Sequence, residues 1–304
     1  MERDMEIRDI LVGLDGSDAG EARLRLAAAL ARERNAHVSA VFLLPEQIVG
    51  APPYGGYGAV PPTGAAWMPQ TGVAGESEAA HVQPALRADV ARGAELADIV
   101  EQRFRAELQP QARDGDWHLL GPGESGDVAA LAAASDLVIW GQGAPDYPLP
   151  AGYGPEDVVL AGGRPTLVVP YAGDFATVGR RVLVAWDGSR EAARALHDSL
   201  PLIGRAEAAL VVSVRDDAAD FDESRPGLDR IVYHLGRHGI AATPEETVRG
   251  DLPIGDVLLS RAADFDADLI VAGAYHHSQL RESLLGGASR DLLDRMTVPV
   301  LMSH

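Results

Sequence analysis

The chain has 304 residues, 26 basic and 45 acidic side chains, a net charge of −19, no cysteine and no lysine, so every basic residue is arginine. Those two absences exclude disulfides, thiolate chemistry, cysteine-ligated metals, a Walker lysine and a Schiff base. The acidity predicts neither nucleic acid nor an anionic membrane surface as partner, and the length and 46% hydrophobic content suit about two globular domains.

From the start, Met1-Glu2-Arg3-Asp4 carries no apolar signal core, and no run of about 18 apolar residues follows anywhere, which predicts a cytoplasmic protein without a membrane span. Ile10 to Leu14 is a continuous apolar run, as expected for a strand covered on both faces. Ser17 or Asp18 can cap a helix over Ala19 to Arg34, and His37 to Leu44 is the next strand. Pro45 to Pro84 is rich in Pro and Gly. It reads as a surface excursion, or as a lid or partner arm, because Tyr54, Tyr57 and Trp67 are costly to expose. A helix is expected over Ala85 to Leu108. Gly126-Asp127-Val128 then leads to Asp136-Leu137-Val138-Ile139-Trp140-Gly141. Gly162-Gly163 ends a shortened helix before the closing run Pro165 to Pro170.

After a join near Tyr171 to Asp174 the pattern repeats. Val182 to Ala185 is a strand, Arg190 to Leu202 a helix, Ala209 to Val214 a strand. Asp15-Gly16-Ser17 returns as Asp187-Gly188-Ser189, 172 residues later, and Gly126-Asp127-Val128 returns as Gly255-Asp256-Val257, 129 later. Asp268 to Gly273 and Val298 to Met302 repeat the later landmarks. The expectation is an α/β chain of two doubly wound, open, parallel five-stranded sheets: residues 1–172, with the insertion at 45–84, and residues 173–304.

The chemistry concentrates in the second half. In open parallel sheets, ligands bind beyond the carboxyl ends of strands, where strand order reverses. There Asp187-Gly188-Ser189 follows one strand and Gly273-Ala274-Tyr275-His276-His277-Ser278 another, with Gly286-Gly287-Ala288-Ser289-Arg290 opening the last helix. Glycines let backbone N–H groups approach phosphate, a helix N-terminus adds donors, and Asp187 can accept from sugar hydroxyls or cap the following helix. Arg290 and Arg281 can offer charge to phosphate, though a solvated helix face is the better reading of Arg281. His234-x3-His238 has a spacing zinc can use, but its apolar neighbours fit ordinary amphipathic packing, so no metal is expected. No Gly-x-Ser-x-Gly elbow and no His-Glu-x-x-His occurs, so no catalytic residue is assigned.

These motifs make the chain resemble a tandem universal stress protein, with two such domains covering nearly all of it. Nucleotide-binding members carry Gly-x2-Gly-x9-Gly-Ser/Thr. Here Gly273 and Gly286 keep the outer glycines and the spacing, while His276 replaces the second glycine and Gly287 the Ser/Thr. His276 either narrows the phosphate pocket or pairs with phosphate. The resemblance implies ATP or another adenine nucleotide as cofactor, with or without Mg2+, held by Asp187, Gly188, Val214, Gly273, His276, Gly286, Gly287, Ala288, Ser289 and Arg290. Val214 would meet the adenine through its backbone. It further implies a stress sensor or regulator rather than a metabolic enzyme, with an unknown protein partner. The closing strands would pair within the chain as a pseudo-dimer, and a homodimer of chains is open. A ligand-free interaction module and a slow ATP hydrolase are the alternatives. The first half keeps Asp15 without a glycine cradle and reads as degenerate.

Overall fold

Apolar runs too short for a helix and flanked by polar turns become strands buried on both faces. The computed structural model describes residues 6–44, 76–109, 115–121, 124–144, 149–150, 152–216, 227–274 and 287–304, with side chains at 76–91 and 125 left aside. Tyr54, Tyr57 and Trp67, and with them most of the insertion, lie outside these residues.

The first half runs β1 (Asp9–Leu14), α1 (Asp18–Arg34), β2 (His37–Leu43), α2 (Glu76–Leu108), β3 (Asp116–Leu120), α3 (Ser125–Ala133), β4 (Leu137–Gly141), α4 (Pro155–Gly162) and β5 (Thr166–Val169). The second repeats it as β6 (Arg181–Ala185), α5 (Arg190–Ile203), β7 (Ala208–Arg215), α6 (Leu228–Arg237), β8 (Ala242–Val248), α7 (Ile254–Asp264), β9 (Leu269–Gly273), α8 (Gly287–Arg295) and β10 (Val300–Ser303). The alternation of apolar run and amphipathic stretch therefore translates directly into α/β layering.

The strand order is β3-β2-β1-β4-β5-β10-β9-β6-β7-β8. Within each half every pairing is parallel, and the order reverses between β1 and β4 and between β6 and β9. The halves meet where β5 pairs antiparallel with β10, Leu167 opposite Leu301. The two five-stranded sheets expected from the sequence are thus fused into one ten-stranded sheet, in the strand-to-strand manner that the resemblance implied.

The repeated Asp-Leu-Val/Ile motif has a local cause. Asp136 Oδ2 accepts the backbone N–H of Arg8 at 2.8 Å and of Asp9 at 3.1 Å. In the second half Asp268 Oδ1 accepts those of Gly179, Arg180 and Arg181 at 3.0–3.1 Å. Each carboxylate ties down the entry of the neighbouring strand and satisfies donors that the sheet leaves open.

Two boundaries differ from expectation. Helix α2 begins at Glu76 rather than near Ala85. Its first turns, Glu76 to Gln83, are rich in Glu and Ala, good helix formers, and Pro84 is carried within the helix instead of ending the Pro-rich stretch before it. Helix α5 carries Pro201 near its end and still reaches Ile203. Gly163 closes α4 in the left-handed region at φ 59°, as the shortened-helix reading requires.

Gln142, just past β4, stitches the halves together. Its Nε2 donates to the carbonyls of Leu293 at 2.8 Å and Asp294 at 3.0 Å near the end of α8, and its Oε1 accepts from the Tyr171 N–H at 3.3 Å.

Candidate functional site

At the carboxyl end of β6 the chain must turn sharply into α5. Gly188 makes that turn at φ 77°, a conformation that glycine adopts without strain. Asp187 Oδ1 accepts the Ser189 N–H at 2.9 Å, and Ser189 Oγ caps the helix by accepting from the Ala192 N–H at 3.0 Å. Ser189, not Asp187, is therefore the N-cap, and exposed Asp187 stands beside the helix mouth. Gly273 ends β9 directly against this mouth. A Cβ there would sit 2.5 Å from the Ala192 nitrogen, so only glycine lets β9 and α5 approach this closely.

Between these ends lies a cavity of about 130 Å³. Asp187, Val214, Gly273, Ala288 and Ser289 line it, five of the residues expected from the sequence. Gly188 forms the turn rather than the wall. Gly287 opens α8 and is exposed, and Arg290 is 60% exposed with its Nε 3.8 Å from Asp294 Oδ2 on its own helix. Neither is among the lining residues. His276, Gly286 and Arg281 lie outside the described residues.

Several lining residues escaped the sequence reading. Trp186 and Ala272 line it too, Ile254 and Leu258 come from α7, and Met302 from β10. Apolar periodicity marks these only as core, because a pocket wall and a core have the same composition. Glu191 is a second missed carboxylate. It is 4% exposed, lines the cavity, and accepts from Arg190 Nε at 2.6 Å. Among the described lining residues, the acidic side chains are thus two, Asp187 and Glu191, with no basic one.

The first half treats the same position differently. Asp15 Oδ1 accepts the Ser17 N–H at 3.0 Å and hydroxyl at 2.5 Å, while its Oδ2 meets the guanidinium of buried Arg23 at 2.5 Å. Burial pushes the Asp15 carboxyl up, but the Arg23 charge and the Ser17 bonds outweigh it and hold the group below its ordinary value.

His234 of α6 and His238, the C-cap residue of that helix, lie side by side, and a third imidazole, His197 of α5, joins them. The ring centroids are 5.0 Å apart for His197 and His234 and 4.8 Å for His234 and His238. Among the described residues no three His, Cys, Asp or Glu side chains are placed to hold a metal ion. No described helix is long and apolar enough to cross a membrane.

The universal stress protein family model matches residues 179–304. No curated protein sequence matches the chain at a significant level. Three similar solved structures span both halves. A universal stress protein from Archaeoglobus fulgidus DSM 4304 is 14% identical, with TM-score 0.66, covering 98% of this chain and 96% of that one. A putative universal stress protein from Pseudomonas aeruginosa UCBPP-PA14 is 17% identical, with TM-score 0.55, covering 98% and 93%. A protein of unknown function from Pseudomonas aeruginosa PAO1 is 18% identical, with TM-score 0.53, covering 98% and 92%. At such identities the likeness is one of fold.

Proposed function

Taking as premise that residues 179–304 form a universal stress protein domain and that the first half repeats its fold, we propose that the chain binds an adenine nucleotide in the second half. ATP or a related nucleotide, with or without Mg2+, is the ligand, and the protein acts as a cytoplasmic stress sensor or regulator rather than a metabolic enzyme. The division between the two units falls at 172/173. The observation that carries this reading is convergence: the ends of β6, β7 and β9 and the N-terminus of α8 meet at one cavity. Its apolar lining suits a base, Asp187 suits a sugar hydroxyl, and the N-terminus of α8 suits a phosphate, which supports this reading.

Asp187 would accept from the sugar, Val214 would flank the base, and Gly273, Ala288 and Ser289 would offer close backbone approach. His276, Gly286, Gly287 and Arg290 would complete the phosphate side, and Gly188 would hold the turn. Calorimetric titration with adenosine, AMP, ADP and ATP, each with and without Mg2+, tests this. Binding at millimolar or tighter concentrations is expected, and Asp187→Ala should weaken it about tenfold, the effect of one lost hydrogen bond. His276→Gly then sorts the two readings of that side chain: tighter binding marks an obstruction, weaker binding a ligand.

A second reading is a ligand-free interaction module. The two carboxylates among the described lining residues favour it, since they oppose a polyphosphate. Absence of binding by every nucleotide in the titration would select it, and a search for a protein partner or for homodimers would follow.

A further inference from the structure

The two halves differ most at one position. Strand register pairs Ile10 with Leu137 and Val12 with Ile139, and equally Val182 with Leu269 and Val184 with Val271. The counterpart of Trp140 is therefore Ala272, and that of Gly13 is Ala185. Ala185 and Ala272 line the second-half cavity. In the first half the corresponding volume holds an indole.

Trp140 is 1% exposed and packs with Leu11, Val41 and Leu43 on the same face of the sheet. Its Nε1–H donates to the Tyr153 carbonyl at 2.8 Å, and the Tyr153 hydroxyl donates in turn to the Gly121 carbonyl at 2.8 Å. The indole N–H and the Tyr153 hydroxyl are thus satisfied from within the chain. Gly13 makes room for it: a Cβ there would lie 2.5 Å from Trp140 Cε3. Arg23, opposite Ala195 in the repeat, completes the filling. It packs against Gly141, the counterpart of Gly273, where a Cβ would collide with the guanidinium. It also gives Asp15 an arginine partner, which Asp187 does not have among the described residues.

We propose that the first half is a self-occupied copy of the site. The Trp140 indole fills the space that the second half leaves open, and Arg23 engages Asp15, so the chain takes one ligand rather than two. That the second half takes a ligand rests on the function proposed above; the occupation of the first half does not.

Thermal unfolding of the full chain carrying Trp140→Ala, with and without millimolar indole, tests this. The substitution should lower Tm by about 10 °C and open a cavity of indole shape. Added indole should restore part of that loss saturably, and wild type should not respond. A folded Trp140→Ala chain that ignores indole overturns the proposal.

The reciprocal change covers the case in which Trp140→Ala does not fold. Ala185→Gly combined with Ala272→Trp should build the same plug in the second half. The added indole should emit at blue-shifted, buried wavelengths, and nucleotide binding should vanish. A red-shifted, solvent-exposed emission, or nucleotide binding retained, overturns the proposal, as does a wild-type stoichiometry of two ligands per chain. If wild type binds no nucleotide, the proposed function fails, while the indole response and the emission still decide this inference.

Discussion

Arg23 is buried to 1% exposure inside a helix that sequence periodicity marks only as amphipathic. Its Nε–H donates to the Gly13 carbonyl at 3.0 Å and Nη2 holds Asp15, while Nη1 has no hydrogen-bond partner among the described residues. A buried pair of this kind adds little over a well-packed apolar pair, yet removing one partner strands the other charge. Arg23→Met should cost about 3–5 kcal/mol in urea unfolding at neutral pH, and adding Asp15→Asn should recover part of it in a double-mutant cycle. The folded-state pKa of Asp15 is depressed, so its contribution is present above the unfolded value of about 3.9 and is lost as pH falls through the lower folded one. Acid unfolding of Asp15→Asn should accordingly be shallower than that of wild type. Neither Arg23 nor Trp140 was legible as a plug, because composition and periodicity average over single positions. Setting the repeats side by side exposes both, with Trp140 opposite Ala272 and Arg23 opposite Ala195.

At the scale of elements, α5 and α6 are joined by three imidazoles. Burial lowers the His234 pKa most, followed by the charges of His197 on α5, of His238 at the end of α6 and of Arg237 within it. A depressed histidine binds fewer protons folded than unfolded. Its contribution is complete above the unfolded pKa of about 6.5 and declines as pH falls from there toward the folded value. His234→Asn should flatten the pH dependence of Tm across that window; an unchanged slope would show that the cluster does not set it. Apolar runs and caps made most elements readable. Ile10 to Leu14 became β1, Ser17 became a cap, and Gly163 ended α4, whereas the cap of α5 is Ser189 and not Asp187. The early start of α2 was not readable, because Pro84 is a breaker by local rule and is overridden in the fold. His197 was invisible as a neighbour of His234, since their contact crosses between helices.

Across the whole molecule, the β5–β10 pairing removes two sheet edges that would otherwise be open. All four residues of each strand are buried. The remaining edges are β3 and β8, and β8 carries Pro244, Glu245 and Glu246, features that discourage further strand addition. A fragment of residues 173–304 would bare β10. It should dimerise through that strand in light scattering, and Leu301→Arg should abolish the dimer. A monomeric fragment would show that the edge needs no partner. The repeat foretold two copies of one fold, the family resemblance implied their pairing through the closing strands, and the contacts of Trp140 and Arg23 showed that they fill the first-half site. Joining the copies covalently also changes what substitution can do. In a symmetric pair of identical chains every change appears twice, so an indole that closes one site closes both. Within a single chain, Gly13 and Trp140 stand in one copy while Ala185 and Ala272 stand in the other. Linkage therefore permits division of labour: one copy can become permanent scaffold without silencing its twin.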